Sequence, residues 1–183
     1  SKIARRSPAL VFSTASFSVA GLPPSTDGAP GPWGDIRLVT TGFLTTIQAP
    51  LQAGRQFTDA DRMGSTPVAI VDEILAHRYW PNADPIGKRI SYDGPTPPDS
   101  DWIQVVGVVG HTAQEGLDAD KRTQVYLPVA QNSTAGIAYT VRTTGDPLAI
   151  ANAVRGAIRS VDPALAMANV STMDALIEGS TGP

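Results

Sequence analysis

Few residues in this chain are equipped for chemistry, and their spacing limits what they could do. There are two histidines, His77 and His111, and no cysteine. His111 and Glu115 stand four apart, with Asp118 and Asp120 close behind. On a helix the first two would share a face and could chelate a divalent cation. Gly116 and the shortness of the run oppose a helix there, so an exposed polar loop is the simpler reading. His111 and Glu115 are thus the only metal candidates, and no bound metal or cofactor is expected. Asp72 and Glu73 are adjacent, so on a helix they diverge; the favourable interaction of acids with a helix start explains them better than acid–base pairing. His77, beside Arg78 on a polar helix face, reads as solvated. No serine sits in a Gly-x-Ser-x-Gly elbow. Gly87-Lys88 fails as a phosphate loop, because Asn82 replaces the first glycine and Arg89 the magnesium-binding hydroxyl. Gly107-Val108-Val109-Gly110 lacks a third glycine in dinucleotide spacing and reads as glycines easing a strand end. No catalytic constellation emerges, so the chain is not expected to be an enzyme.

The elements that would position these residues are best announced between Pro67 and Ile90. Val68-Ala69-Ile70-Val71 has the length and branching of a buried strand. Asp72 then occupies a helix N-cap position, with Glu73 in the first turn. Leu75, Ala76, Tyr79 and Trp80 form one apolar face, and Pro81 stops the helix. Asn82 to Gly87 supplies a turn, and Lys88-Arg89-Ile90 leads into a strand.

Elsewhere, strands are expected at 9–20, 36–40, 102–109, 123–128, 137–143 and 165–170, with 102–109 central, a helical turn at 42–47 and an extended piece from Leu51. The segment 21–35 holds four Pro and four Gly and reads as a loop, as does the Pro-rich 92–101. Asp146-Pro147 starts an amphipathic helix on which Ala151, Val154, Ile158 and Val161 recur at helical spacing. Ser171 to Asp174 has the form of a capping box before a last helix. This order predicts an α+β fold in two small lobes: one continuous, 36–131, and one assembled from both ends, 1–35 and 132–183. In the second, strand 9–20 lies beside 137–143 and 165–170.

Composition narrows the function class. With 183 residues, 42% hydrophobic and 17% charged, the chain can bury a real core. A net charge of -3 and no basic stripe argue against nucleic acid as a partner. No apolar run approaches the roughly 20 residues that span a bilayer. Chain ends without targeting signals read as those of a piece excised from a longer protein.

Several stretches, in order, resemble the periplasmic core domain of MacB-type permeases, in the FtsX-like group of ABC transporters. They are Phe43-Leu44 through Gly54-Arg55-Gln56-Phe57 with Asp61, then Arg78-Tyr79-Trp80-Pro81 with Asp84-Pro85-Ile86-Gly87-Lys88-Arg89-Ile90, and Val105 to Gly110. Val125-Tyr126-Leu127-Pro128, Val141 to Leu148, Val161-Asp162-Pro163 and Asn169-Val170 through Met173 follow. His111 departs from the family, where an acid is usual, and Asp72 stands where Asn is common. Phe43-Leu44 replaces an aromatic pair. The resemblance implies a porter-like lobe built from the two ends and an inserted, sabre-like lobe of mixed α/β structure between them. It also implies an extracytoplasmic, periplasmic location between membrane helices of the same permease. By the same resemblance, a cytoplasmic ABC ATPase would drive helix motions that this domain transmits to periplasmic substrates or partners, in efflux or envelope-related transport. A periplasmic adaptor and a second copy of the permease are further candidate partners. The competing expectation is an extracytoplasmic module that binds a small molecule or peptide, with Trp33, Trp80 or Trp102 lining a pocket between the lobes and loops 21–35 and 92–101 making the contacts.

Overall fold

The computed structural model describes residues 12–23, 31–94, 96–112, 122–132, 141–164, 170–172 and 174–175. Packing divides the chain into two compact units, Ser1–Thr112 with Asp120–Thr140, and Ala113–Ala119 with Val141–Pro183. Among the described residues the first contains eight strands: β1 (Phe12–Ser16), β2 (Ser18–Val19), β3 (Trp33–Val39), β4 (Leu51–Gly54), β5 (Val68–Asp72), β6 (Arg89–Ser91), β7 (Ile103–Val109) and β8 (Gln124–Pro128). Two short helices accompany them, α1 (Phe43–Thr46) and α2 (Glu73–Tyr79). The strands join one mixed sheet in the order β1-β3-β8-β5-β7-β6-β2, with β4 added to β7. β3 runs parallel to β8 and β5 parallel to β7, and the remaining pairs are antiparallel.

The central strands are apolar because both faces of the sheet are covered. β5 and β8 are buried throughout, and β7 at every position but Gln104. On one face Ala69, Val71, Val105, Val108, Val125 and Leu127 pack with Leu75 and Ala76 of α2 and with Trp80, the residue that caps its end. On the other, Val68, Ile70, Val106, Val109 and Tyr126 pack with Leu44 of α1. Val105 and Val108 share a face although they are three apart. The register slips between Ala69 opposite Val105 and Ile70 opposite Gly107, a bulge that resets the alternation of β7.

Gly107 lies inside β7 rather than at a strand end, contrary to the sequence reading. A methyl group there would collide with the Arg55 carbonyl, so close approach of the two chains requires glycine. Gly54 opposite it has φ of +72°, and its missing side chain would strike the Val106 carbonyl.

The expected strand at 9–20 is β1 and β2, interrupted at Phe17, which is buried edge-on against Tyr79 and Tyr92. These strands hydrogen-bond to β3 and β6. The pairing expected with 137–143 and 165–170 falls mostly outside the described residues. Those of the two segments that are described, 141–143 and Val170, are not strand.

In the second unit Asp146 caps a 3₁₀ turn, Pro147–Ile150, through the Leu148 amide, and α3 (Ala151–Val161) follows directly. Its stop at Asp162, before Pro163, is the one expected. The last helical start uses Thr172, whose hydroxyl accepts from the Ala175 amide at 3.2 Å, rather than Ser171. Among the described residues no helix is long and apolar enough to cross a membrane.

Candidate functional site

Two polar sites stand out in the first unit. The first forms where β5 and β7, running parallel, end side by side. Asp72 finishes β5 and caps α2, its Oδ1 accepting from the Leu75 amide at 2.8 Å. The peptide after β7 brings His111 to the same carboxylate, with Nδ1 2.7 Å from Asp72 Oδ2. When the Asp72 carboxylate is ionised it only accepts, and Nδ1 is then the donor of that bond. The Asp72 side chain is wholly buried and that of His111 is 14% exposed. Burial pushes the Asp72 carboxyl above its ordinary range, while bonds from His111 and from the Leu75 and Gln124 backbone pull the other way.

A shell of polar groups continues outward. Glu73 accepts from the His111 amide at 3.3 Å and from the Gln52 side chain. The Gln52 bond is the main reason its carboxyl lies below the usual value. On the inner side Gln124 Oε1 accepts from the Tyr126 hydroxyl at 2.8 Å and the Thr112 hydroxyl at 3.1 Å, and its amide donates back to the Thr112 carbonyl. Such a network orders the strand ends, because each buried polar group left unmatched would cost about 1–3 kcal/mol.

The second site is an open cleft of about 530 Å³ beside β7, where β6 gives way to β4 along the same edge. Val68, Val106 and Ile86 are its apolar lining; Arg55, Asp61 and Gln104 are among its polar groups. The Arg55 guanidinium meets Asp61 as a fork, at 2.7 and 2.8 Å. Thr58 adds its amide to the same carboxylate at 2.8 Å. The Arg55 bond, foremost, holds the Asp61 carboxyl below its ordinary value. The pair fixes the link from β4 toward Val68 and neutralises itself.

The residues singled out from the sequence are scattered. His77 and Arg78 lie exposed on α2, as expected. Glu115, Asp118 and Asp120 lie outside the described residues. Among the described residues no cluster of three acids or histidines could hold a metal ion. Trp80 is a core residue beside β5 and β7, Trp33 is 44% exposed under Arg122, and Trp102 carries Arg89 over its ring. No tryptophan lines the cleft. Sequence reasoning missed the Asp72–His111 contact, although both residues had been marked as departures from one family pattern. That shared status was the available signal.

The chain matches the family described as MacB-like periplasmic core domain over residues 2–170. It belongs to that family, and is therefore an extracytoplasmic domain of the kind found in ABC transporter permeases. Among solved structures it is similar to the periplasmic region of MacB from Actinobacillus actinomycetemcomitans, at 16% identity and a TM-score of 0.54, covering 82% of this chain and 64% of that one. It also matches a domain of a permease protein from Porphyromonas gingivalis at 16% identity, TM-score 0.48, over 81% and 60% of the two chains. The extracellular domain of the ABC-type transporter YknZ from Gram-positive bacteria gives 16%, 0.40, 63% and 53%. The chain thus spans less than two thirds of each of these structures. No curated protein matches.

Proposed function

We propose that the chain is the extracytoplasmic domain of a MacB/FtsX-like permease that carries ATP-driven motion of membrane helices to periplasmic substrates or partners. The observation that carries this reading is family membership across 2–170. A sheet buried on both faces, with two cores, supports it physically, since a rigid body passes on a displacement that a loose one would absorb. The helices of the same permease and a cytoplasmic ABC ATPase are the partners this needs; a periplasmic adaptor and a second permease copy are the further ones proposed. We also propose the division into a lobe of 1–35 with 132–183 and an inserted lobe of 36–131. The β1–β3 ladder crosses position 35, so the amino-terminal part of the first lobe is stitched to the second.

Spin labels test the motion in the full permease with its ATPase. Met63 and Val161 are 68% and 84% exposed and belong to different units, and this chain adds no cysteine of its own to the two introduced for labelling. The expected result is a label-to-label distance distribution that changes on ATP binding. A distribution identical with and without nucleotide would count against transmission between the units.

A further inference from the structure

The sheet order β1-β3-β8-β5-β7-β6-β2 begins and ends on neighbouring pieces of chain, because only Phe17 separates β1 from β2. Residues 12–19 are therefore one bent strand that pairs with β3 by its first half and with β6 by its second. Two backbone bonds carry the pairing past the bend and past β2. The Phe17 amide donates to the Pro32 carbonyl at 2.7 Å and the Ala20 amide to the Arg89 carbonyl at 2.9 Å. The two ends of the sheet thus meet on this one segment, which covers backbone edges of β3 and β6 that would otherwise lie open.

The segment holds its place with little apolar anchorage. Of residues 13–19 only Phe17 and Val19 are buried; Ser13, Thr14, Ala15 and Ser16 are small and half-buried or exposed. By contrast, β5 and β8 are buried at every position. The Thr14 hydroxyl bonds to Asp35 at 3.1 Å and the Ser18 hydroxyl to the Gly94 carbonyl at 2.6 Å, both in reach of water that can replace them. The cost of a local opening follows the apolar surface it uncovers and the backbone bonds it breaks. By that measure this strand opens more cheaply than the strands it joins. Nothing else has to move, since β3, β8, β5, β7 and β6 are paired in a continuous path without it.

We propose that residues 12–19 form a strap that closes the sheet end to end and peels away as one unit, opening it between β3 and β6 while the other strands stay paired. The strap stands independently of whether the domain transmits motion.

The test is native-state hydrogen exchange of the 183-residue chain, read amide by amide at rising, sub-denaturing urea. The Phe17 and Ala20 amides are expected to exchange through one shared opening of shallow urea dependence, at least about tenfold faster than the amides of β5 and β8. Leu44→Ala empties a buried position on the opposite face of the sheet from Phe17 and Val19, which stays packed when the strap opens. It should speed exchange in β5 and β8 by about a hundredfold and leave the strap amides unchanged. If that variant does not fold, Ile70→Val serves, with about fivefold expected at the same amides. Val19→Ala removes two buried carbons from an anchor and should speed the strap amides by about tenfold. The proposal is overturned if the strap amides share the rate and urea dependence of β5 and β8, or if Phe17 and Ala20 open with different urea dependence. It is equally overturned if the opposite-face variant speeds both sets alike, or if Val19→Ala leaves the strap amides unmoved.

Discussion

Asp72 with His111 and Asp61 with Arg55 are both pairs of a buried carboxylate and a basic side chain, yet the protein treats them in opposite ways. The Asp72 carboxyl is pushed up by burial, with its hydrogen bonds only partly compensating. That of Asp61 is pulled down, its forked bond to Arg55 outweighing burial. Exposure of the basic partner separates them: the Arg55 side chain is 46% exposed and that of His111 14%. A guanidinium at the surface keeps its hydration while holding a carboxylate below it. Between two sealed strand ends, the carboxylate gives up its water and must rely on fixed donors. A pair at a cleft rim is a brace; a pair in the core is a constraint on how the strands end.

Removing each partner should widen that contrast. His111→Ala strands a buried carboxylate and is expected to cost about 3 kcal/mol in urea unfolding, the scale for breaking a buried pair. Asp72→Asn in the same background should recover a good part of it, because an amide at that position still caps α2 without burying charge. If the single and double variants unfold alike, Asp72 was not a buried cost. Arg55→Ala leaves Asp61 with its Thr58 donors and loses a solvent-screened partner, so about 1 kcal/mol is expected, less at high salt. A loss equal to that of His111→Ala would erase the distinction between brace and constraint.

The pH dependence is the smallest effect and has opposite signs at the two sites. A carboxyl lowered in the folded state contributes stability above its ordinary value of 3.8, and Asp61 loses that contribution as pH falls through its folded value. Asp72 is raised, so its contribution is fully present below 3.8 and is lost as pH rises through its folded value. Asp72→Asn should therefore gain on the parent chain as pH climbs above 3.8, whereas Asp61→Asn should fall behind it as pH rises toward 3.8 from below and keep a constant deficit above. Urea midpoints at half-unit steps read both slopes, and parallel curves for the two variants would refute the assignment.

Much of the scaffold was legible because its causes are local. Asp72 caps α2, Leu75, Ala76 and Trp80 face inward, and the helix halts before Pro81, all from neighbours within a few residues. The buried runs at 68–71 and 103–109 announced the central strands for the same reason. The bulge was not legible: a period of two cannot show that Val105 and Val108 share a face, since the slip is set by the partner strand. Nor was the cleft, which exists only because β6 and β4 divide one edge of β7 between them.

By itself, then, the sequence placed the central strands, α2 and α3, and its ordered motifs determined the family, because caps, prolines and apolar runs act over one or two turns. Tertiary structure decided which polar groups meet. Asp72 and His111 are 39 positions apart, and only the parallel register of β5 on β7 brings their side chains within a hydrogen bond. Register is fixed by packing of whole faces against each other, a condition that no short stretch of chain contains.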